Sequence, residues 1–203
     1  MIHRWISSSL VLYGVLSISG SGFGDCVYKI KDGSTKLQWT GYKFSEKLGV
    51  SGTFDAFKME VNEKAKSEEK LFESLNYSIE TASMNSGMPL RDKKLVLFLF
   101  GSIENSGEIS GNVTKVDFKK GKAFAEISMN GKTLKKEFKA EKSQNHYTFT
   151  SEIDLKDFGM MSSVSQLAEA CKALHTGSDG VAKTWSLVGL KIEADTEEVC
   201  GKG

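Results

Sequence analysis

Nucleophilic and metal chemistry needs histidine, cysteine and carboxylate side chains at particular spacings, and the sequence is sparing with the first two. Past the amino-terminal His3 there are only His146 and His175, together with Cys26, Cys171 and Cys200. Neither histidine has a Cys, Asp or Glu neighbour at metal-ligand spacing, so no zinc site is expected. Cys171 and His175 stand one helical turn apart, the nearest approach to a thiol–imidazole pair, but a cysteine on the apolar face of a helix is ordinarily packing. His146 falls on the wet face of a strand. His175 closes a predicted helix, where the dipole favours a cation. There is no Gly-x-Ser-x-Gly elbow and no glycine-rich phosphate loop. No catalytic residue and no metal ligand can be nominated, and an enzyme is not expected.

The elements that would position any site read as β-structure, and the clearest stretch runs from Val113 to Leu155. Ala123, Ala125, Ile127 and Met129 alternate with Phe124, Glu126 and Ser128, the period of two that a strand requires. Asn130-Gly131 supplies the two positive φ angles of a type I′ turn. That turn fixes a register with Met129 opposite Lys132, Ile127 opposite Leu134, Ala125 opposite Lys136 and Ala123 opposite Phe138, and on the other face Glu126 opposite Lys135. Lys136 is the exception on the dry face. A third strand places Tyr147, Phe149, Ile153 and Leu155 on one side.

Similar alternation recurs along the chain. Short strands are expected at Val27–Lys31, Thr35–Phe44, Val50–Val61 (with a bulge after Phe54), Leu75–Thr81, Glu108–Phe118 and Thr184–Ala194. The charged segment Asn62–Ser74 reads as a solvated turn or short surface helix. Pro89 is placed to start a helix over Leu90–Phe100, with a strand at Leu95–Phe100 as the alternative. Ser163–Leu174 has the spacing of an amphipathic helix, capped by Ser163 or Ser165. With about eight strands and no βαβ rhythm, the fold expected is an all-β antiparallel barrel with one or two short inserted helices; a β-sandwich is the alternative.

At 203 residues one domain suffices, and 27 Lys+Arg against 26 Asp+Glu leave no global field to recruit nucleic acid. Residues 1–24 read as a signal peptide: a basic start at His3 and Arg4, a short apolar run from Leu10 to Ile18, and small residues from Gly20 to Gly24. The run is shorter than the roughly 20 apolar residues of a membrane span. The mature domain is then 25–203, in a periplasmic or secreted setting where disulfides persist. In a closed up-and-down barrel the first and last strands pair antiparallel, which sets Cys26 beside Cys200 and leaves Cys171 a free, mostly buried thiol.

Three landmarks occur in order: Trp39-Thr40-Gly41-Tyr42-Lys43-Phe44 with Val50-Ser51-Gly52-Thr53-Phe54; Arg91-Asp92-Lys93-Lys94-Leu95; and Ile153-Asp154-Leu155-Lys156-Asp157-Phe158-Gly159-Met160. Together, over roughly Val27–Thr196, they resemble the YceI family. The resemblance implies a lipocalin-like extended barrel, exported, holding the tail of a polyisoprenoid or an isoprenoid quinone. Two departures fall at the end of the pocket where a polar head group would act. Histidines carried by many members near the first strands are missing, Lys43 and Lys47 occupying that region, and Ser163–Leu174 adds a helix.

The expected ligand contacts are the inward apolar residues Leu37, Trp39, Phe57, Met59, Tyr77, Ile79, Phe98, Ala125, Ile127, Phe138, Phe149, Val188 and Leu190. Small residues Ala123, Ala125, Gly111 and Ala140 would leave room, and the helix at Leu90–Phe100 would roof one end. No cofactor is expected beyond such a bound lipid or quinone; the expected partner is an apolar long-chain ligand, and a homodimer is left open. The alternative is a structural or interaction barrel of the stressed cell envelope with a filled core, acting through its loops.

Overall fold

The structure, a computed structural model, describes residues 25–201. The signal-peptide expectation for residues 1–24 lies outside them. The meander holds the register that its Asn-Gly turn dictates. Strands β8 (Lys122–Met129) and β9 (Lys132–Ser143) pair Met129 with Lys132, Ile127 with Leu134, Glu126 with Lys135 and Ala123 with Phe138. Asn130 and Gly131 have φ of 52° and 67°, as a type I′ turn requires. The dry-face exception is resolved at the barrel end, where the Lys136 ammonium lies 2.9 Å from an Asp157 carboxylate oxygen. β10 (His146–Asp154) follows, its start paired with the far end of β9.

The sheet has eleven strands. The others are β1 (Cys26–Ile30), β2 (Lys36–Lys43), β3 (Leu48–Phe54), β4 (Phe57–Glu60), β5 (Asn76–Glu80), β6 (Met84–Asn85), β7 (Glu108–Asp117) and β11 (Thr184–Cys200). Three of these continue a neighbour: β2 continues β1, β4 continues β3 past Asp55-Ala56, and β6 continues β5 past a 3₁₀ turn at Thr81–Ser83. Across the two breaks the ladder is bridged by Asp55 N–H donating to Ser83 O at 3.1 Å and Glu80 N–H to Ala56 O at 3.0 Å. Phe54 and Phe57 both end inside, as the bulge predicted between them requires. The pairings β2–β3, β4–β5, β5–β7, β7–β8, β8–β9, β9–β10, β10–β11 and β11–β2 then run around a curled, closed antiparallel sheet.

β11 does the closing, and it is longer than the alternation indicated. Rather than stopping at Ala194 it runs to Cys200, pairing with β10 along one side and with β2 and then β1 along the other. Thr196–Val199 carries Glu197 and Glu198, whose acidic character hides the strand; it forms because β1 is there to pair with it. Cys26 stands opposite Cys200 in that ladder and the two are joined by a disulfide, while Cys171 is a buried free thiol.

Close packing inside the wall needs two glycines. Trp39 faces Gly52 and Tyr77 faces Gly111 across the strand pairs. A Cβ at either glycine would overlap the facing ring. Gly111 therefore does not leave open room, as the sequence suggested; Tyr77 fills it and donates its hydroxyl to Glu126 O at 2.8 Å.

The two barrel ends are closed differently. At one end α1 (Glu68–Glu73) is no surface helix. Ser67 caps it through Lys70 N–H, and its inner face inserts Leu71 and Phe72, both buried. Its short length and charged composition leave no periodicity to read. At the other end Pro89 occupies the first turn of α2 (Pro89–Lys94), followed by a π-helical turn at Leu95–Phe100 and, later, by α3 (Met161–Ala170). α3 starts ahead of the caps expected from sequence: Ser163 is a buried residue within it, and Ser165 donates to Met161 O rather than capping.

The bridge closes a loop with a sequence separation of 174, which in the chain-entropy account stabilises by about 5 kcal/mol at most. Non-reducing peptide mapping is expected to return Cys26 joined to Cys200, and C26S/C200S to lower unfolding free energy by several kcal/mol. A Cys171-containing disulfide would contradict the pairing.

Candidate functional site

Inside the sheet lies a cavity of about 770 Å³. Each wall strand contributes the alternate residues that face inward. β2 gives Leu37 and Trp39, β4 gives Phe57 and Met59, β5 gives Tyr77 and Ile79, and β8 gives Ala125 and Ile127. Phe138 comes from β9, Phe149 from β10, and Val188 and Leu190 from β11. Phe98 is the correction: it packs against the core without lining the cavity. In the π-helical turn the hydrogen bond spans five residues instead of four, and Leu95, Leu99 and Phe100 face the interior, Leu97 reaches the rim, and Phe98 is left off the lining. Ala123 lines the cavity with Ala125, whereas Ala140 is buried elsewhere in the wall.

The polar groups of the wall are mostly occupied. Trp39 Nε1 donates to Thr53 O at 3.1 Å and Trp185 Nε1 to Phe44 O at 2.8 Å. Burial pushes the Tyr77 hydroxyl pKa upward, so it stays a neutral donor. Among the described residues two buried hydroxyls have no hydrogen-bond partner, that of Thr35 in the cavity wall and that of Tyr147.

One end of the cavity is plugged by aromatic rings. Phe72 packs 5.2 Å from Phe149 and 4.9 Å from Tyr147, centroid to centroid, with Phe118 5.0 Å from Tyr147. The opposite end carries the large apolar lining residues most open to solvent: Met88, Leu90, Leu97 and Leu174, 56–80% exposed, at the cap and first turn of α2, on the π-helical turn and on the 3₁₀ turn Lys172–Leu174 after α3. The helix at Leu90–Phe100 thus roofs the end foreseen, but as the rim of a mouth.

Sequence reasoning missed the plug, Phe72, and most of what the helices add: Val164, Leu167, Cys171, Lys94 and His175 all line the cavity. The apolar period of Ser163–Leu174 was the available signal for the α3 residues. His175 departs from its expected role as a helix-end cation. It is half-buried, its Nδ1 is 2.6 Å from Thr184 Oγ1, and its pKa lies below the ordinary value through burial first and then through the Lys43 and Lys94 charges. Lys47, by contrast, points out to Glu152 at 3.1 Å. His146 is on the outer face beside Asp195 at 2.7 Å.

Among the described residues no hydrogen bond joins the side chains of Cys171 and His175. Cys26, Glu198 and Cys200 bring potential metal ligands together, but two of the three sulfur and oxygen donors are consumed by the disulfide. No helix among the described residues is long and apolar enough to cross a membrane.

The YceI-like domain model matches residues 28–183, most of the chain. The chain belongs to the YceI family. Solved structures agree on the fold. A polyisoprenoid binding domain from Saccharophagus degradans, implicated in plant cell wall breakdown, superposes with a TM-score of 0.56 at 12% identity, covering 86% of this chain and 98% of that one. BcnA of Burkholderia cenocepacia gives 0.56 at 11% identity, covering 83% and 99%. The YCEI protein of Campylobacter jejuni gives 0.51 at 17%, covering 76% and 86%. No curated protein sequence matches. The family match ends where β11 begins, so the closing strand with Cys200 lies beyond it.

A depressed folded-state pKa at His175 makes the unfolded chain the better proton acceptor. The associated stability is present above the unfolded value of about 6.5 and is lost as pH falls through the folded value. Melting curves between pH 7.5 and 5 are expected to show a larger loss of Tm for the wild type than for His175→Gln. Equal losses would mean that the imidazole protonates freely in the folded protein.

Proposed function

We propose that this YceI-family protein is an exported carrier or store for a long apolar chain of the polyisoprenoid or isoprenoid-quinone kind, which lies in the barrel interior. The observation that carries the reading is the cavity itself: about 770 Å³ walled by aliphatic and aromatic side chains. That space equals roughly 25 waters at about 30 Å³ each, and an apolar wall offers so many waters few hydrogen bonds. An apolar ligand is the occupant such a wall favours. At about 25 cal/mol per Å², roughly 600 Å² of buried tail supplies about 15 kcal/mol. Micromolar binding corresponds to about 8 kcal/mol, which an association cost of about 7 kcal/mol leaves intact. Binding then needs no reacting group, in keeping with a binding protein rather than an enzyme.

The polyisoprenoid binding ascribed to the Saccharophagus degradans domain supports the choice of ligand class. The Cys26–Cys200 disulfide supports a periplasmic or secreted setting, since such bonds persist in oxidising compartments. An interior of this volume weighs against the filled structural barrel. Of the thirteen contacts expected from sequence, the twelve on the wall are those proposed to touch the chain; Phe98 is not.

Organic extraction of natively produced protein followed by mass spectrometry is expected to release a long-chain lipid in near-stoichiometric amount. Ala125→Phe, which places a ring in the cavity, is expected to weaken binding at least about tenfold, read by quenching of Trp39 and Trp185, with little loss of stability. A ligand-free extract together with unchanged affinity in Ala125→Phe would remove the reading.

A further inference from the structure

The charged residues around the cavity are unevenly signed. Lys43, Arg91, Lys93 and Lys94 line it, and among the described residues no Asp or Glu does. The chain as a whole is nearly neutral, at +1, so this one-sided sampling is local. All four sit at the open end, three on α2 and one at the end of β2. Arg91 is tied back by Ser86, to which its Nε and Nη2 donate at 2.7 and 2.9 Å. Lys43 and Lys94 are different. Both are half-buried, and neither is in a salt bridge among the described residues. Lys94 Nζ donates to Ala170 O at 3.0 Å and Lys43 Nζ to Leu174 O at 3.4 Å, the carbonyl ends of α3 and of the turn after it. Lys43 Nζ also lies 4.5 Å from the Phe44 ring centroid; an ammonium has three donors, so each lysine keeps donors beyond its carbonyl bond. The two carbonyls lie four residues apart, and His175, which lines the same cavity, follows the second of them directly in the chain.

Resting on the apolar-chain reading, we propose that Lys43 and Lys94, with His175 beside them, form a head-group site at the cavity mouth that selects long-chain amphiphiles bearing an anionic head, a phosphate or a carboxylate, over neutral ones. The tail enters between Leu90, Leu97 and Leu174 and runs toward Phe149, and the head stops where the ammonium groups are fixed. Two half-buried cations on one cavity's rim, bound to carbonyls four residues apart and with no counter-ion among the described residues, repel each other, and an anion between them relieves that repulsion while accepting charge-assisted hydrogen bonds. The extra helix is what makes the site: its terminal carbonyls orient both lysines. A neutral head such as an alcohol or a quinone carbonyl gains only ordinary hydrogen bonds there.

Farnesol, farnesyl phosphate and farnesoic acid share one tail and differ in the head, so their affinities, measured by tryptophan quenching below their aggregation limits, separate the two parts of the site. At low salt the wild type is expected to bind at least one of the anions about tenfold or more tightly than farnesol. Preference for the phosphate alone assigns a phosphate site, and preference for both assigns a general anion site. K43Q/K94Q is expected to bring the anions to within about twofold of farnesol while farnesol affinity is kept, which also reports that the variant is folded. Should the variant fail to fold, the salt dependence of the wild type decides: raising the ionic strength from 20 to 500 mM is expected to weaken anion binding and leave farnesol unchanged. Equal affinity for all three, or an anion preference indifferent to both the substitutions and salt, overturns the head-group site while leaving the apolar-chain reading standing. Binding of none of the three overturns the apolar-chain reading instead.

Discussion

Everything inside this protein depends on β11 finding partners on both sides. A sheet that ended at β10 would leave its own edge and that of β2 with unpaired N–H and C=O groups, and would open the apolar interior to water along its whole length. β11 removes both edges at once, pairing with β10 from Leu187 to Asp195 and with β2 from Thr184 to Glu193. Its last residues then pair with β1 and are fastened covalently through Cys26 and Cys200. The contacts that close the ring join the first strands of the sheet to the last, at a sequence separation of up to 174, which is the costliest loop to close. The disulfide acts where that cost is greatest.

Closure also makes the interior directional. The same inward positions that line the cavity meet α1 at one end, where Phe72, Phe118, Tyr147 and Phe149 stack, and meet α2, the π-helical turn and α3 at the other, where lysines and exposed aliphatic side chains gather. A cavity that is aromatic at one end and cationic at the other matches an amphiphile in one orientation only. Small residues at Ala123 and Ala125 keep the middle open, while Gly52 and Gly111 take in Trp39 and Tyr77 so that these large rings lie along the wall instead of across it.

How much of this could be read from the sequence divides by the range of the interactions. The meander was legible because Asn130-Gly131 and the alternation on either side act over a few residues and agree with each other. The cysteine pairing was legible because ring closure is a topological constraint. The plug was not: Leu71 and Phe72 sit in a six-residue helix among Glu68, Glu69, Lys70 and Glu73, and only the barrel end tells them to turn inward. Phe98 misled because an unbroken apolar run, Leu95 to Phe100, has no period of its own, and the π-helical turn chose the face. The end of β11 was hidden by its acids, and His175 by neighbours distant in sequence, Lys43 and Lys94, that no local pattern reveals.

The central claim is that the barrel interior is a binding space for one long apolar chain. A crystal structure of the protein grown with geranylgeraniol tests it most directly. The account predicts continuous tubular density from beside Phe149, past Trp39 and Ala125, to the rim at Leu174, with the wall residues little moved. Density confined to the outer surface, with Trp39 and Phe149 closed against each other across a collapsed interior, would contradict it.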